Sequence, residues 1–433
     1  MSDQRISMII GAGVPLNFDL PDNINKPSTD NITKEVIKPY KIYSGTGAYK
    51  QTDIIQDIYN RLTNNYPPTQ RQSMDWKASE EPKTNIHFEI LFHVLEMYLA
   101  YKPAWDGKCH NGDIFPYFAL FSKDTANYPY EDLFTIKRDF IIRIMDIVAE
   151  YNEYFKQHKN DKEEWYAKFF QRFQNRLDVF NFNYDTTIEE SIKEFEDGFE
   201  DTSNKDGLYL FNPNKLWENK KKLSTVNHIH GCILYYQAKN DNERYKYSML
   251  HDMFKYPDYT SMKNRFIGTG HSEPVGQDHT EYIAGPIITG LRKTEKLNCI
   301  PYDFYHGNLY NSIIRNSSLI IAGYSFGDYY TNQLLSRMGL LHREKTKIVL
   351  IDYWSYDAES NDGLEYYLST KPSNDLITFL LMTAEVDTIQ GFCKNLDRTS
   401  PHYYKSSNGR LMIFTKGFKD AAKYEEDMQA FLN

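Results

Sequence analysis

The feature that most constrains this chain is the run Leu177-Asp-Val-Phe-Asn-Phe-Asn-Tyr-Asp185, followed later by Val226-Asn-His-Ile-His-Gly231. Each is a short apolar stretch ending in polar groups, Asn183 and Asp185 in the first and His230-Gly231 in the second. That is the pattern of buried strands that deliver polar residues at their C-terminal ends. Two more segments share it: Arg5-Ile-Ser-Met-Ile-Ile-Gly-Ala-Gly13 and Ser318-Leu-Ile-Ile-Ala-Gly-Tyr-Ser-Phe-Gly-Asp328. Ligands of open α/β sheets bind at such strand ends. Gly, Asn, His, Ser and Asp converging on one edge predict a nucleotide site with a reactive centre.

The rest of the chain fits that frame. Strands are predicted near 177–182, 226–234, 284–289, 317–323, 347–352 and 376–382, with helices between them at 185–195, 305–315 and 329–341. Near-continuous apolar strands alternating with helices predict a Rossmann-like, doubly wound α/β core whose sheet is mainly parallel. Between Gly13 and Leu177 the pattern breaks. Prolines interrupt it up to about residue 84, and then apolar residues recur at helical spacing from Asn85, from about 130 to 158, and from 162 to 176. The reading is therefore a first strand and nucleotide-binding loop in 1–25, a loop-rich and then helical insertion in 26–176, and the remainder of the core with a C-terminal extension in 177–433. The segment 238–283 is polar and without a clear period.

Composition excludes several classes. A net charge of -9 argues against direct nucleic-acid binding, which demands clustered Lys and Arg; the basic run Lys220-Lys-Lys222 reads as a solvated loop. No apolar window approaches a membrane span and no leader precedes the first strand, so a cytoplasmic protein is expected. Cys109, Cys232, Cys299 and Cys393 are widely spaced and form no C-x-x-C pair. Neither a zinc ribbon nor a disulfide framework is signalled.

Each motif also has a structural reading. Gly11-Ala-Gly13 lacks the third glycine of a dinucleotide fingerprint, Leu16 standing in its place, so it is either a phosphate loop or a tight turn. Asp185 or Thr186 is expected to cap a helix. Capping does not explain Asn183, a residue disfavoured in strands. His228 and His230, two apart on a strand, have the spacing of a metal pair, with His271 and His279 only loosely available as further ligands; metal binding is the minority reading. Ser325 and the amides around Gly323 suit phosphate or ribose hydroxyls, while Asp328 suits a helix N-cap. Asp352, ending Ile348-Val-Leu-Ile-Asp352, has the position of a ribose acceptor.

Taken in order, G-A-G near the N-terminus, N-Y-D, H-G after a strand and G-Y-S-x-x-D late in the chain resemble the sirtuin-like NAD-binding family, and most closely its divergent bacterial branch that hydrolyses NAD in antiphage defence. The resemblance covers residues 5–19 and 177–353. It implies that Asn183 orients water and ribose at the glycosidic carbon, that His230 is the base engaging ribose hydroxyls, and that Asp185 lies in the nicotinamide-ribose pocket. Gly11, Ala12, Gly13, Gly231, Gly323, Tyr324, Ser325, Asp328 and Asp352 complete the implied binding set. NAD is then the substrate, no metal is expected, and a homo-oligomer or a HerA-type hexameric ATPase partner would restrain the activity. Protein deacylation or ADP-ribosyl transfer, and a non-catalytic module that senses NAD or ADP-ribose, are the alternatives. Two departures stand out: the four-cysteine zinc module of protein-deacylating sirtuins is missing, and Pro15 replaces a small hydroxyl residue of the phosphate loop. The aromatics Phe92, Tyr98, Tyr101, Tyr151 and Tyr154 of the insertion suggest either an assembly surface or a cover for the pocket.

Overall fold

The computed structural model describes residues 5–44, 48–65, 86–100, 130–202, 207–219, 222–239, 251–269, 273–274, 281–282, 286–290, 297, 300–355, 361–370, 372–398 and 400–433. His271, His279, Cys109, Cys299, Lys220, Lys221 and Tyr101 lie outside the described residues.

A nine-stranded sheet forms the core. Its strands are β1 (Ile6–Ile10), β2 (Leu177–Asn181), β3 (Phe195–Glu196), β4 (Ser224–His228), β5 (Ser318–Ala322), β6 (Lys347–Ile351), β7 (Leu396–Asp397), β8 (Tyr404–Ser406) and β9 (Leu411–Phe414), in the order β7-β8-β9-β6-β5-β1-β2-β4-β3. Pairing is parallel from β3 through to β9 and antiparallel only at the β7-β8-β9 edge. Strands β1, β2, β4 and β5 are buried at every position. Full burial explains why β1 and β5 read as near-continuous apolar runs, since both faces of a parallel sheet are covered, whereas β2 and β4 also bury polar side chains such as Asp178, Thr225 and Asn227. The fold is thus the Rossmann-like α/β architecture that the strand pattern predicts.

The order matters for function. After β4 the chain crosses back past β1 to enter β5, so β1 lies between a strand placed to one side and one placed to the other. This reversal opens a crevice at the carboxyl ends of β1 and β5, where ligands of doubly wound sheets bind. The opposite end is closed by a buried polar cluster. Asp178 of β2 accepts from Arg5 Nη2 at 2.7 Å, Thr225 Oγ1 at 3.0 Å, Ser312 Oγ at 2.9 Å and Asn316 Nδ2 at 3.1 Å. Four donors offset the desolvation of this carboxylate and tie the start of β1, β2 and β4 to the helix that leads into β5.

Residues 11–176 separate β1 from its sheet neighbour β2, and their described part carries the insertion helices α1 (Thr29–Val36), α2 (Phe88–Ala100), α3 (Tyr130–His158) and α4 (Glu164–Arg172). The long helix α3 organises them, burying Leu133, Ile136, Phe140, Ile144, Met145 and Phe155 along one side. Arg143 of α3 lies 3.7 Å above the Tyr40 ring and donates to the carbonyls of Glu35, Lys38 and Pro39. A cation at the carboxyl end of α1 satisfies carbonyls that the helix leaves without partners.

Four expected elements differ. The segment 376–382 is not a strand; it lies in the helix α7 (Asn374–Ala384), capped by Ser373, whose buried Leu376, Phe379, Leu380 and Thr383 follow helical spacing. A short apolar run does not by itself separate the two readings. At 284–289 the described residues form only an isolated bridge between Gly231 and Ile287. The expected helix 185–195 is a single turn over 187–191, because Asp185 draws the chain into a side-chain-closed turn by accepting from the amide of Thr187. Strand β4 stops at His228 rather than 234, where Gly231 with φ 93° turns the chain. The segment after 234 contributes Tyr235–Lys239 and His251–Lys255 to a small antiparallel sheet completed by Tyr209–Phe211 and Phe199–Asp201. No described helix is long and apolar enough to cross a membrane.

Candidate active site

A cavity of about 390 Å³ opens where β1, β2, β4 and β5 end. The sheet supplies one wall through Gly11 and Ala12 after β1, Phe182 and Asn183 after β2, His230 after β4, and Tyr324, Ser325, Gly327 and Asp328 after β5. The insertion supplies the other through Pro27, Thr29, Ile32, His87, Phe88, Glu89, Val148 and Tyr151. Four strand ends widely separated in sequence therefore meet at one cleft, as their polar C-terminal residues imply.

Asn183 is held firmly. Its backbone amide donates to Asn181 Oδ1 at 3.0 Å, and its side-chain Nδ2 donates to the carbonyl of Gly11 at 3.1 Å. With Nδ2 committed to the first loop, the side-chain oxygen is the atom able to accept from a water or a ribose hydroxyl. His230 packs edge-on against Phe182 at 5.0 Å between ring centroids, and its Nε2 lies 3.4 Å from Oδ2 of Asp328. Burial alone would raise the Asp328 carboxyl. The hydrogen bond and charge of His230 and the amide of Thr331 outweigh it and hold that carboxyl well below the usual carboxylate range. Behind this pair stands His306, on α5 (Tyr302–Arg315). Burial, reinforced by the nearby His230, lowers its imidazole to about 4, so it stays neutral.

The glycines of the two phosphate-loop candidates have a structural duty. A Cβ on Gly11 would lie 2.5 Å from the carbonyl oxygen of Gly323, and Gly13 donates its amide to that same oxygen at 2.9 Å. Gly323 itself has φ 57°, and a Cβ there would meet the amide nitrogen of Val14 at 2.6 Å. The loops after β1 and β5 thus touch backbone to backbone, which only glycines permit. Gly13 and Gly323 sit behind the cavity wall, while Gly11 and Ala12 are on it.

Other expected site residues lie outside the wall as well. Asp185 is 1% exposed, with Oδ1 accepting from Thr187 and Oδ2 from the Tyr151 hydroxyl at 2.7 Å. Burial pushes its carboxyl upward against those bonds. Gly231 lies against the carbonyl of Pro286. Asp352 caps the end of β6, accepting from the Tyr353 amide and from Trp354 Nε1 at 2.9 Å. Asp328 combines both of its readings: it is the N-cap of α6 (Tyr329–His342) and it also lines the cavity.

His228 and His230 do not act as a pair. His228 Nε2 contacts Glu189 Oε1 at 2.7 Å, away from Asp328, and Cys232 lies close enough to complete a three-ligand geometry. Lys255 decides the character of this cluster, since its ammonium sits 3.5 Å from Glu189 and 2.6 Å from Asp197. Burial would lower the lysine, but the two carboxylates hold it well above its ordinary range, and the fixed cation takes the charge-neutralising place that a metal would occupy. Burial likewise pushes the Cys232 thiol far up. The cluster is a buried charge network that fastens β4 to the small sheet.

Of the two readings of the insertion, assembly surface or cover, the described part that reaches the cavity is a cover, and its polar members Glu89 and His87 carried no sequence signal. Glu89 and Tyr151 reach the cavity from helices whose apolar periodicity identifies their core sides and says nothing of a ligand, and His87 reaches it from the residue before α2. Phe92, Tyr151 and Tyr154, candidates for an assembly surface or a cover, are 1%, 1% and 7% exposed. No family model matches the chain, and no curated protein is significantly similar to it.

Proposed function

We propose that this chain is an NAD glycohydrolase that releases nicotinamide and ADP-ribose. One observation carries the reading: Asn183 and His230, from strand ends 47 residues apart in sequence by their numbering, share one wall of a cavity at the switch point of a Rossmann-like sheet. Breaking the N-glycosidic bond develops positive charge on the ribose, so such a site needs oriented dipoles and a held water more than a strong nucleophile. Asn183 supplies the oriented amide, and His230 supplies the base for a ribose hydroxyl. Among the described residues the wall carries Glu89 and Asp328 but no lysine or arginine, an electrostatic setting that favours a cationic nicotinamide-ribosyl group.

The resemblance to the sirtuin-like defence branch supports a cellular role in which NAD depletion answers infection, with activity restrained by self-assembly or by a HerA-type ATPase. Product analysis after incubation with NAD tests the reaction. Free ADP-ribose and nicotinamide are expected; an acyl-ADP-ribose formed only with an acylated peptide would point to deacylation, and unchanged NAD to a sensing module.

A further inference from the structure

The two carboxylate oxygens of Asp328 serve different partners. Oδ1 accepts the amide of Thr331 at 2.9 Å, capping α6 and satisfying a donor that the first helical turn leaves open. Oδ2 faces Nε2 of His230 at 3.4 Å. A cap alone needs only the first oxygen, and Asn or Ser would serve as well. Both side chains are largely buried, and Nε2 of His230 is shielded from solvent at ion-pair distance from Oδ2, slightly beyond a formed hydrogen bond. The other groups around the pair are His306 of α5, Tyr330 against His306, Tyr324, whose hydroxyl donates to the Asp328 carbonyl, and Glu89 and His87 across the cavity.

We propose that Asp328 is a positioning residue for His230, accepting Nε2–H so that the ring is fixed in the tautomer whose lone pair is on Nδ1. This rests on the NAD-cleaving reading of the site. In that tautomer Nδ1 accepts the proton of a ribose hydroxyl as the C1′–N bond breaks and its electron pair leaves with nicotinamide. Water then forms the new C1′–O bond and gives up one proton, and the imidazolium returns its proton to the sugar oxygen. The balance is NAD plus water to nicotinamide, ADP-ribose and one proton. His306, kept neutral by burial, places no second charge beside the imidazolium.

Asp328→Asn separates the two duties, because the amide oxygen still caps α6 while the charge facing His230 is gone. The full chain is labelled with ¹⁵N-histidine, His230 is assigned by its loss in His230→Ala, and its titration and ring-nitrogen shifts are followed without substrate. Expected are a cooperatively folded protein, a His230 titration lower by about one unit, loss of the Nε2–H preference, and a kcat/KM for NAD reduced about tenfold or more with the loss in kcat. Asp328→Ser, also a good cap, replaces the asparagine variant if that one folds poorly. Wild-type titration and tautomer in the substituted protein would overturn the assignment and leave Asp328 a cap alone. If the wild-type protein leaves NAD intact, the glycohydrolase reading fails, while the imidazole titration still decides the pairing of Asp328 with His230.

Discussion

The Tyr151 hydroxyl donates to Oδ2 of Asp185 at 2.7 Å, joining the long helix of the insertion to the turn that follows β2. Asn152, the next residue, reinforces the joint by accepting from the Thr186 amide at 3.0 Å. The cavity roof is thereby pinned to its floor. Tyr151→Phe leaves a buried carboxylate oxygen without this donor, so we expect a loss of about 1–3 kcal/mol in denaturant unfolding. Nicotinamide release should fall with it, since Tyr151 also lines the cavity. Unchanged stability would show that the joint contributes nothing.

The contact between the loops after β1 and β5 sets a second expectation. Gly11→Ala would drive a methyl to within 2.5 Å of backbone that has no freedom to move. Gly323→Ala would add strain at a positive φ. Each should destabilise by several kcal/mol, in the range of severe single substitutions, and yield little folded protein at 37 °C. Near-native thermal melts for both would mean that the loops are less closely packed than described.

Acid stability should depend on Glu189. Burial by itself opposes ionisation of this carboxyl, but His228 and Lys255 outweigh it and lower it from 4.5 to about 2. A carboxyl depressed in the folded state contributes stability that is complete above pH 4.5 and lost as pH falls toward about 2. Glu189→Gln should therefore be less stable than wild type at neutral pH, with the difference shrinking through that window. Equal differences at pH 7 and pH 3 would remove Glu189 from the acid response.

Self-association is testable by light scattering against the 51.0 kDa chain mass. Three of the five insertion aromatics do not argue for it, because Phe92, Tyr151 and Tyr154 are spent on the core and on the roof of the cavity. If assembly uses the exposed side of α3, we expect a species several times the chain mass that dissociates on charge reversal at Glu150 and Glu153, both on that helix. A monomer at micromolar concentration leaves α3 as cover for the pocket.

The core and the floor of the site were legible because their signals are local. A strand-length segment that delivers Gly, Asn or His at its carboxyl end is readable wherever it falls, and four such segments converge around Asn183 and His230. The roof was legible only as one of two readings, because Glu89 and Tyr151 sit on amphipathic helices whose period reports packing and not what the polar positions face. Asp185 and Asp352 were placed on the right loops, but in the structure their oxygens are turned into hydrogen bonds within the protein. The helix at 374–384 misled for a simpler reason: seven consecutive central residues with few polar interruptions satisfy either period.

The most direct measurement is nicotinamide release from NAD by the wild-type chain, Asn183→Ala and His230→Ala, with a thermal melt of each. Wild-type release is expected, together with a loss of about a hundredfold or more in each variant. Asn183→Ala should melt somewhat lower, by about 1 kcal/mol, because it also loses the bond to the Gly11 carbonyl. A folded wild-type protein that releases no nicotinamide, or either variant turning NAD over at the wild-type rate, would contradict the proposed chemistry.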